Sequence, residues 1–459
     1  MNAPEPWLYR YEVKGIQAWI LASDTLKDLK AGSAIIAGLA DEATTLAAKI
    51  GGTIELAAAG QGQIAFPDRQ ALHRFAAQFP LRVEQHAPGV TFTHAWVPAS
   101  KRDALCAKVG ADRQRPRTAL PEIGPLVARA SRTGNAAVKR DHGALLDAAS
   151  RRREKAGHDK LTALVLADES AETLDDLHHR AYANGLAVVH ADGNRIGAHI
   201  QKLMIEGRFR GPDDYSAFSN ALKEATVEAA RQACKALPRK YSDDLFPARL
   251  IVVGGDDVTV IVPAPDAFDF VNTLLEAFDA ACSARSAQLG GELTMSAGVA
   301  FINPRYPFAS AHSIAESLAG TAKVATAKHD GVAAFSFHRV TTSLLHEDSF
   351  EPRAYTRKGG VPILERALAQ MPHLPKGKLR TLLGLLRSPQ TVDHGDRAAQ
   401  LTKRIRDHAG KDTIQKEACE DFFDAIDELA EHTAGTASAA ARAGAIEDVL
   451  TLHTLRNRE

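Results

Sequence analysis

The chain is poor in cysteine. Its 459 residues hold only 4, at Cys106, Cys234, Cys282 and Cys419, and no two form a CxxC pair. That argues against a zinc ribbon and points to a reducing compartment. Net charge is missing too. Lys plus Arg and Asp plus Glu each number 56, which argues against a protein that coats nucleic acid by bulk charge. Local basic runs remain at residues 151–155 and 403–406, and they read as solvated helix faces. No apolar run approaches membrane-spanning length. The opening MNAPEPWLYRYEV has no basic segment leading into an apolar one, so no secretory signal is expected. A cytoplasmic location follows as the expectation. The rest of the composition, 45% hydrophobic and 24% charged, fits a soluble globular chain.

What is there centres on one hairpin. Residues 248–264 read ARLIVVGGDDVTVIVPA. Apolar, mostly β-branched residues flank the centre on both sides and favour extended backbone. Gly254 and Gly255 tolerate turn conformations that β-branched residues resist. Asp256 and Asp257 are then fixed side by side on a rigid, backbone-paired loop. Adjacent carboxylates repel unless a cation or solvent neutralises them. Hard divalent cations take carboxylate oxygens together with substrate phosphates. An Asp pair after Gly-Gly is also ordinary turn chemistry, so the hairpin alone leaves both readings open.

The surrounding chain has an order. Residues 7–100 read as βααββαβ, the pattern of a ferredoxin-like or palm sheet with helices on one face. Residues 101–184, rich in Arg, Ala and Pro, read as a helical insert or linker. Residues 185–340 read as βαββαβαβ and carry the Asp pair. Residues 341–459 read as a helical domain. The fold class expected is α+β: two palm-like domains, a helical insert and a helical C-terminal part. The two palms look like an internal duplication. The first copy's hairpin apex, AAAGQGQ at residues 57–63, lacks the Asp pair, so that copy is expected to be structural.

Two further elements supply partners for the hairpin. Asp192 ends the apolar strand LAVVHAD, followed by Gly193, Asn194 and a turn into a helix. An Asp there can cap the next helix. Beside the hairpin it can also converge with Asp256 into a minimal Mg²⁺ site. The stretch TMSAGVAF, with Ser296 and Gly298, reads as a neighbouring strand. Lys323 lies on the following helix, where it can meet a triphosphate as a point charge or be a plain surface lysine. Lys328 is an alternative for the same role.

LAVVHADGNRIG, VVGGDDVTVIVPA and TMSAGVAFINPRYPFASAHSIAESLAGTAK resemble, in order and spacing, the second palm of the large subunit of type III CRISPR effector complexes. That family is related to GGDEF-type and class III cyclases. GIQAWILASDTLKDLKAGSAIIAGL resembles the same subunit's first palm. The resemblance covers residues 1–340 well and the C-terminal part loosely. It implies a palm that condenses ATP into cyclic oligoadenylate when the complex binds target RNA. Mg²⁺ (or Mn²⁺) would be the cofactor and ATP the substrate. It further implies Asp192 and Asp256 as metal ligands and Asp257 as a further catalytic acid. Gly193, Asn194, Gly254, Gly255, Ser296 and Lys323 would border the nucleotide. Implied partners are other effector subunits with guide RNA and target RNA, and a stand-alone homodimer is also compatible.

The chain departs from the pattern in three places. Asn194 stands where the family often has a second Asp. No HD nuclease domain is expected at the front, and neither His178–His179 nor Lys328–Asp330 replaces one. The zinc cysteines of the intervening region are absent. Two rival readings therefore stand. One is a scaffold that binds ATP but turns over little, favoured by Asn194. The other is a diguanylate cyclase, weakened because Asp257 occupies the position where GGDEF enzymes have Glu.

Overall fold

Two sheets with the same winding organise the chain. A computed structural model describes residues 5–22, 26–58, 60–102, 104–114, 127–130, 133–141, 143–155, 172–173, 185–208, 212–238, 245–328, 332–340, 352–387, 400–407 and 413–456. His178, His179 and Asp330 lie outside them.

The first sheet comes from β1 (Trp7–Lys14), β2 (Thr53–Ala58), β3 (Gln61–Phe66) and β4 (Thr91–Pro98), in the order β2-β3-β1-β4. Helices α1 (Ile16–Leu21) and α2 (Leu26–Ile50) link β1 to β2, and α3 (Arg69–His86) links β3 to β4. Along β1 the pleat sends Tyr9, Tyr11 and Val13 into a core with Phe66, Phe75 and Phe79. Arg10, Glu12 and Lys14 alternate onto the polar face. Asp68 caps α3, its carboxylate accepting from the Ala71 N–H at 2.8 Å.

The described residues of the insert are not all helical. They include α4 (Ala104–Gln114), a two-stranded hairpin of β5 (Lys139–Asp141) and β6 (Ala144–Leu146), and α5 (Ala148–Lys155). Gly143, at φ +86°, supplies the left-handed turn residue. The basic run on α5 is not simply a solvated face. Arg153 is buried, lies over the Trp19 ring at 4.4 Å from its centroid and donates to the Trp19 carbonyl oxygen. Its guanidinium docks the insert onto the first palm. In the run at 403–406, Lys403, Arg404 and Arg406 are exposed, as expected.

The second sheet repeats the winding. β7 (Leu186–Gly193), β8 (Arg249–Gly254), β9 (Asp257–Pro263) and β10 (Met295–Ile302) lie in the order β8-β9-β7-β10. α6 (Ile196–Ile205) and α7 (Pro212–Ala236) join β7 to β8, and α8 (Ala267–Ala284) lies between β9 and β10. The duplication reaches a shared irregularity: the register of β2 on β3 shifts between Ile54 and Leu56, and that of β8 on β9 between Leu250 and Val252. Beyond β10, α9 (Phe308–Lys328) leads to β11 (Ala334–Arg339), parallel to β10, and β12 (Ala354–Thr356) closes the sheet. The sheet thus continues past residue 340.

Helices α7 and α8 cover one face of the second sheet, with Phe218, Phe270 and Phe278 in that core. The other face meets α9 and the helices of the first palm. Val188, Ile261, Ile302 and Leu318 share one apolar cluster with Trp19, Ile35 and Leu39. α2 packs against both sheets, so the palms are joined through a common core.

Among the described residues, the helices that follow include α10 (Gly360–Gln370), α11 (Lys376–Arg387), α12 (Thr413–Ala434) and α13 (Ala439–Arg456). They are tied to the sheet edge at β12. Arg353 gives Asp448 a bidentate pair at 2.6 and 2.8 Å, and the buried Tyr355 hydroxyl donates to the same carboxylate at 2.5 Å. Gly444 leaves the room this needs, since a Cβ there would sit 2.5 Å from Arg353 Nη1. No helix among the described residues is long and apolar enough to cross a membrane.

Candidate active site between the palms

β7 is central in its sheet, paired antiparallel with β9 on one side and β10 on the other. Val258 faces Ala191, and one further step of that register sets Asp257 opposite Asp192 at the sheet's end. Gly254 pairs with Asp257, leaving Gly255 and Asp256 as a two-residue turn. Gly255 has φ +63°, the left-handed conformation that the first position of a primed hairpin turn favours. The buried Thr226 hydroxyl, on α7, donates to the Gly255 carbonyl at 2.6 Å and steadies the turn. Gly193 is needed for contact reasons. A Cβ there would lie 2.6 Å from Ile196 Cγ1 and 2.8 Å from Asp256 Cβ.

Three carboxylates therefore converge. Asp192, Asp256 and Asp257 each offer one oxygen within 4.8 Å of the others. α9 adds the counter-charge. Gly298 lets its backbone rest on β10, where a Cβ would overlap the Ala315 carbonyl oxygen, and Lys323 pairs with Asp192. Burial, then the charge on Asp192, pushes the Asp256 carboxyl up to about 6. Burial, then Asp192 and Asp256, pushes Asp257 up to about 8. With all three ionised, one ammonium leaves two negative charges uncompensated. A hard oxygen donor set with that charge fits one divalent cation.

The carboxylates open onto a cavity of about 810 Å³ between the palms. The second palm gives it His190, His312, Glu316 and Lys323, and the first palm gives Val13, Lys14 and Ile16. His190 and Thr259 meet on the strand face that carries Asp192, with Nδ1 3.0 Å from the hydroxyl.

The structure brings Asp192, Asp256, Asp257 and Lys323 onto this cavity. Gly193 lies beneath Asp256; Gly254 ends its strand and Gly255 opens the turn, with open space above each. Asn194 and Ser296 are buried and bond to each other, Ser296 donating to Asn194 Oδ1 at 2.8 Å. The Asn194 amide donates to Thr294 Oγ1 at 2.9 Å. These two residues hold β7 to β10 and are not on the cavity wall.

Lys14, His190, His312, Glu316 and Thr226 escaped the sequence reading. Helical spacing could have found two of them: 312, 316 and 323 share one face with 319 and 320. His190 stands two residues before Asp192, on the same face of the strand. Lys14 belongs to the other palm and gave no local signal.

The register also aligns the first palm's apex with the active one. Ala58 pairs with Gln61 as Gly254 pairs with Asp257, and Glu12 opposes Gln61 where Asp192 opposes Asp257. Gly60 and Gln61 thus replace the Asp pair. The one acid kept, Glu12, is answered by Lys14 at 2.9 Å and Arg10 at 3.4 Å. Two cations beside one carboxylate leave no charge for a metal to offset.

A ferredoxin-like sheet with carboxylates at its first strand end and on the adjoining hairpin defines the palm class shared by nucleotide cyclases and polymerases. Residues 185–333 match the family model for the second palm domain of Cas10/Cmr2, and this part of the chain is such a palm. Among curated proteins none matches. A chain of the Csm1–Csm4 cassette in complex with cA4 superposes with TM-score 0.58 at 15% identity, covering 98% of this chain and 70% of that one. The cassette in complex with AMPPNP gives 0.51 at 16%, over 84% and 62%. The Csm1–Csm4 subcomplex of the type III-A CRISPR-Csm interference complex gives 0.52 at 16%, over 87% and 64%. The shared feature is the fold.

Proposed function

We propose that the cleft is a divalent-metal nucleotidyltransferase site that converts ATP into cyclic oligoadenylate. The observation that carries this reading is the convergence of Asp192, Asp256 and Asp257 at one end of an inter-palm cavity, with Lys323 as their counter-charge. Asp192 and Asp256 would hold Mg²⁺ or Mn²⁺. A cation there supplies charge neutralisation on the triphosphate and lowers the pKa of the attacking 3′-hydroxyl. Lys323 then exchanges Asp192 for phosphate oxygens. Asp257 would act as the further catalytic acid group beside Asp192 and Asp256, taking up the 3′-hydroxyl proton once the cation has favoured its ionised form. The 3′-oxygen bonds to the α-phosphorus, the bond to the β-phosphate bridge breaks, and pyrophosphate leaves. Catalysis is mainly positioning and electrostatics.

The Cas10/Cmr2 match and the likeness to Csm1–Csm4 chains support partners of the same kind: other effector subunits with guide RNA, and target RNA as the trigger. A scaffold that binds ATP and turns over slowly is the second reading. It is favoured by Asn194, whose carbonyl is committed to Ser296. Incubation with Mg²⁺ or Mn²⁺ and labelled ATP or GTP, with products resolved, separates the readings. Cyclic oligoadenylate from ATP supports the first, bound but unconverted ATP the second. A guanylate product would overturn both.

A further inference from the structure

Below the carboxylates the cavity wall changes character. His190 lies two residues down β7 from Asp192, about 6–7 Å deeper at strand spacing. His312 lies three turns before Lys323 on α9, about 16 Å along the axis at helical rise. The two rings meet edge-on with centroids 5.0 Å apart. His190 is engaged with Thr259. His312 is only 2% exposed and lines the cavity, and its ring nitrogens have no hydrogen-bond partner among the described residues. The ring's hydrogen-bonding capacity is therefore left for whatever enters the cavity. Burial, then the neighbouring His190, lowers the His312 pKa to about 4. The ring is therefore neutral at physiological pH and offers one N–H donor and one acceptor nitrogen. That pairing suits an uncharged hydrogen-bonding edge rather than a phosphate. Val13 and Ile16 of the first palm add apolar surface to the same cavity, which suits a flat base.

We propose that His312 positions the nucleoside part of the nucleotide whose phosphates meet Asp192, Asp256 and Lys323. This rests on the nucleotide-site reading above and adds which residue holds the end remote from the metal. His312 is a neutral hydrogen-bonding partner for the base or ribose and carries no charge in the chemistry.

The test is equilibrium binding of Mg·ATP and of Mg·tripolyphosphate, which lacks the nucleoside, to the full chain and to His312→Phe and His312→Gln. The expected result is about tenfold weaker ATP binding by His312→Phe, partial recovery in His312→Gln, and tripolyphosphate binding unchanged in both. Unchanged ATP binding in His312→Phe overturns the proposal. Equal weakening of both ligands also overturns it, because that marks a packing role. Wild-type protein that binds neither ligand instead refutes the nucleotide site itself.

Discussion

Lys323 on α9 and Asp192 at the end of β7 form an ion pair on the second palm's wall of the cleft, 131 residues apart in sequence. The pair places a cation where the phosphate tail of a nucleotide is expected. It also occupies a carboxylate that is wanted for metal. Lys323→Gln is expected to lower ATP turnover by about 10²-fold, with weaker ATP binding. Mn²⁺ binding without nucleotide, followed by electron paramagnetic resonance, should tighten, because the competing ammonium is gone. Loss of Mn²⁺ binding would mean that Lys323 supports the metal site instead of competing with it.

Gly193→Ala places a methyl against Ile196 and Asp256. Asp256 should shift, and activity should fall by at least about tenfold, since a misplacement of order 1 Å at a reacting centre costs up to about 10²-fold. Gly197, four residues on in α6, has nothing within 4 Å of an added Cβ. Gly197→Ala should keep activity and gain about 0.5–1 kcal/mol in denaturant unfolding. Equal behaviour of the two variants would show that the Gly193 contact does not set the site.

Asp256 and Asp257 have carboxyls raised to about 6 and about 8. The folded chain therefore holds protons that the unfolded chain releases, and metal-free stability falls as pH rises from about 4 to about 8. Mg²⁺ should restore more stability at pH 8 than at pH 5. Asp257→Asn removes the burdened charge and should raise the metal-free melting temperature at pH 8 by about 2–4 °C per kcal/mol relieved, while activity is lost. Thermal scans with and without Mg²⁺ check this, and a variant that melts lower at pH 8 contradicts it.

Asp448 is held by Arg353 and Tyr355 with little access to water. Asp448→Ala takes both short contacts from the Arg353 guanidinium, leaving Glu447 at 3.7 Å, removes the acceptor of the buried Tyr355 hydroxyl, and should cost about 1–3 kcal/mol. Urea unfolding measures it. A loss under 1 kcal/mol would mean that the C-terminal helices are held by apolar packing alone.

The fold was legible wherever local pattern decides it. Alternation in β1, the unbroken apolar run of β7, helical period in α7 and α8, and Gly-Gly at 254–255 all mark elements that the structure contains. The repeated βαββ winding was legible for the same reason. The hairpin at 139–146 was not, because its strands are three residues each and half polar. Arg153 was misread because a basic run looks solvated until a Trp from another segment meets it. At the site, Asp192, Asp256, Asp257 and Lys323 were readable from strand ends and helix position. Asn194 and Ser296 are expected at the nucleotide from the resemblance and from a strand beside the site, and the folded β7–β10 pairing shows them bonded to each other. Lys14 and Ile16 reach the cavity through packing of one palm on the other, which no single window of sequence encodes.

The most direct test of the account is synthesis from labelled ATP with Mg²⁺ or Mn²⁺ by the wild-type chain and by Asp256→Ala/Asp257→Ala, assayed with the assembly's partner subunits and target RNA present. The account predicts cyclic oligoadenylate from the wild type and none from the double variant, with both proteins folded. Undiminished product from the double variant would contradict it.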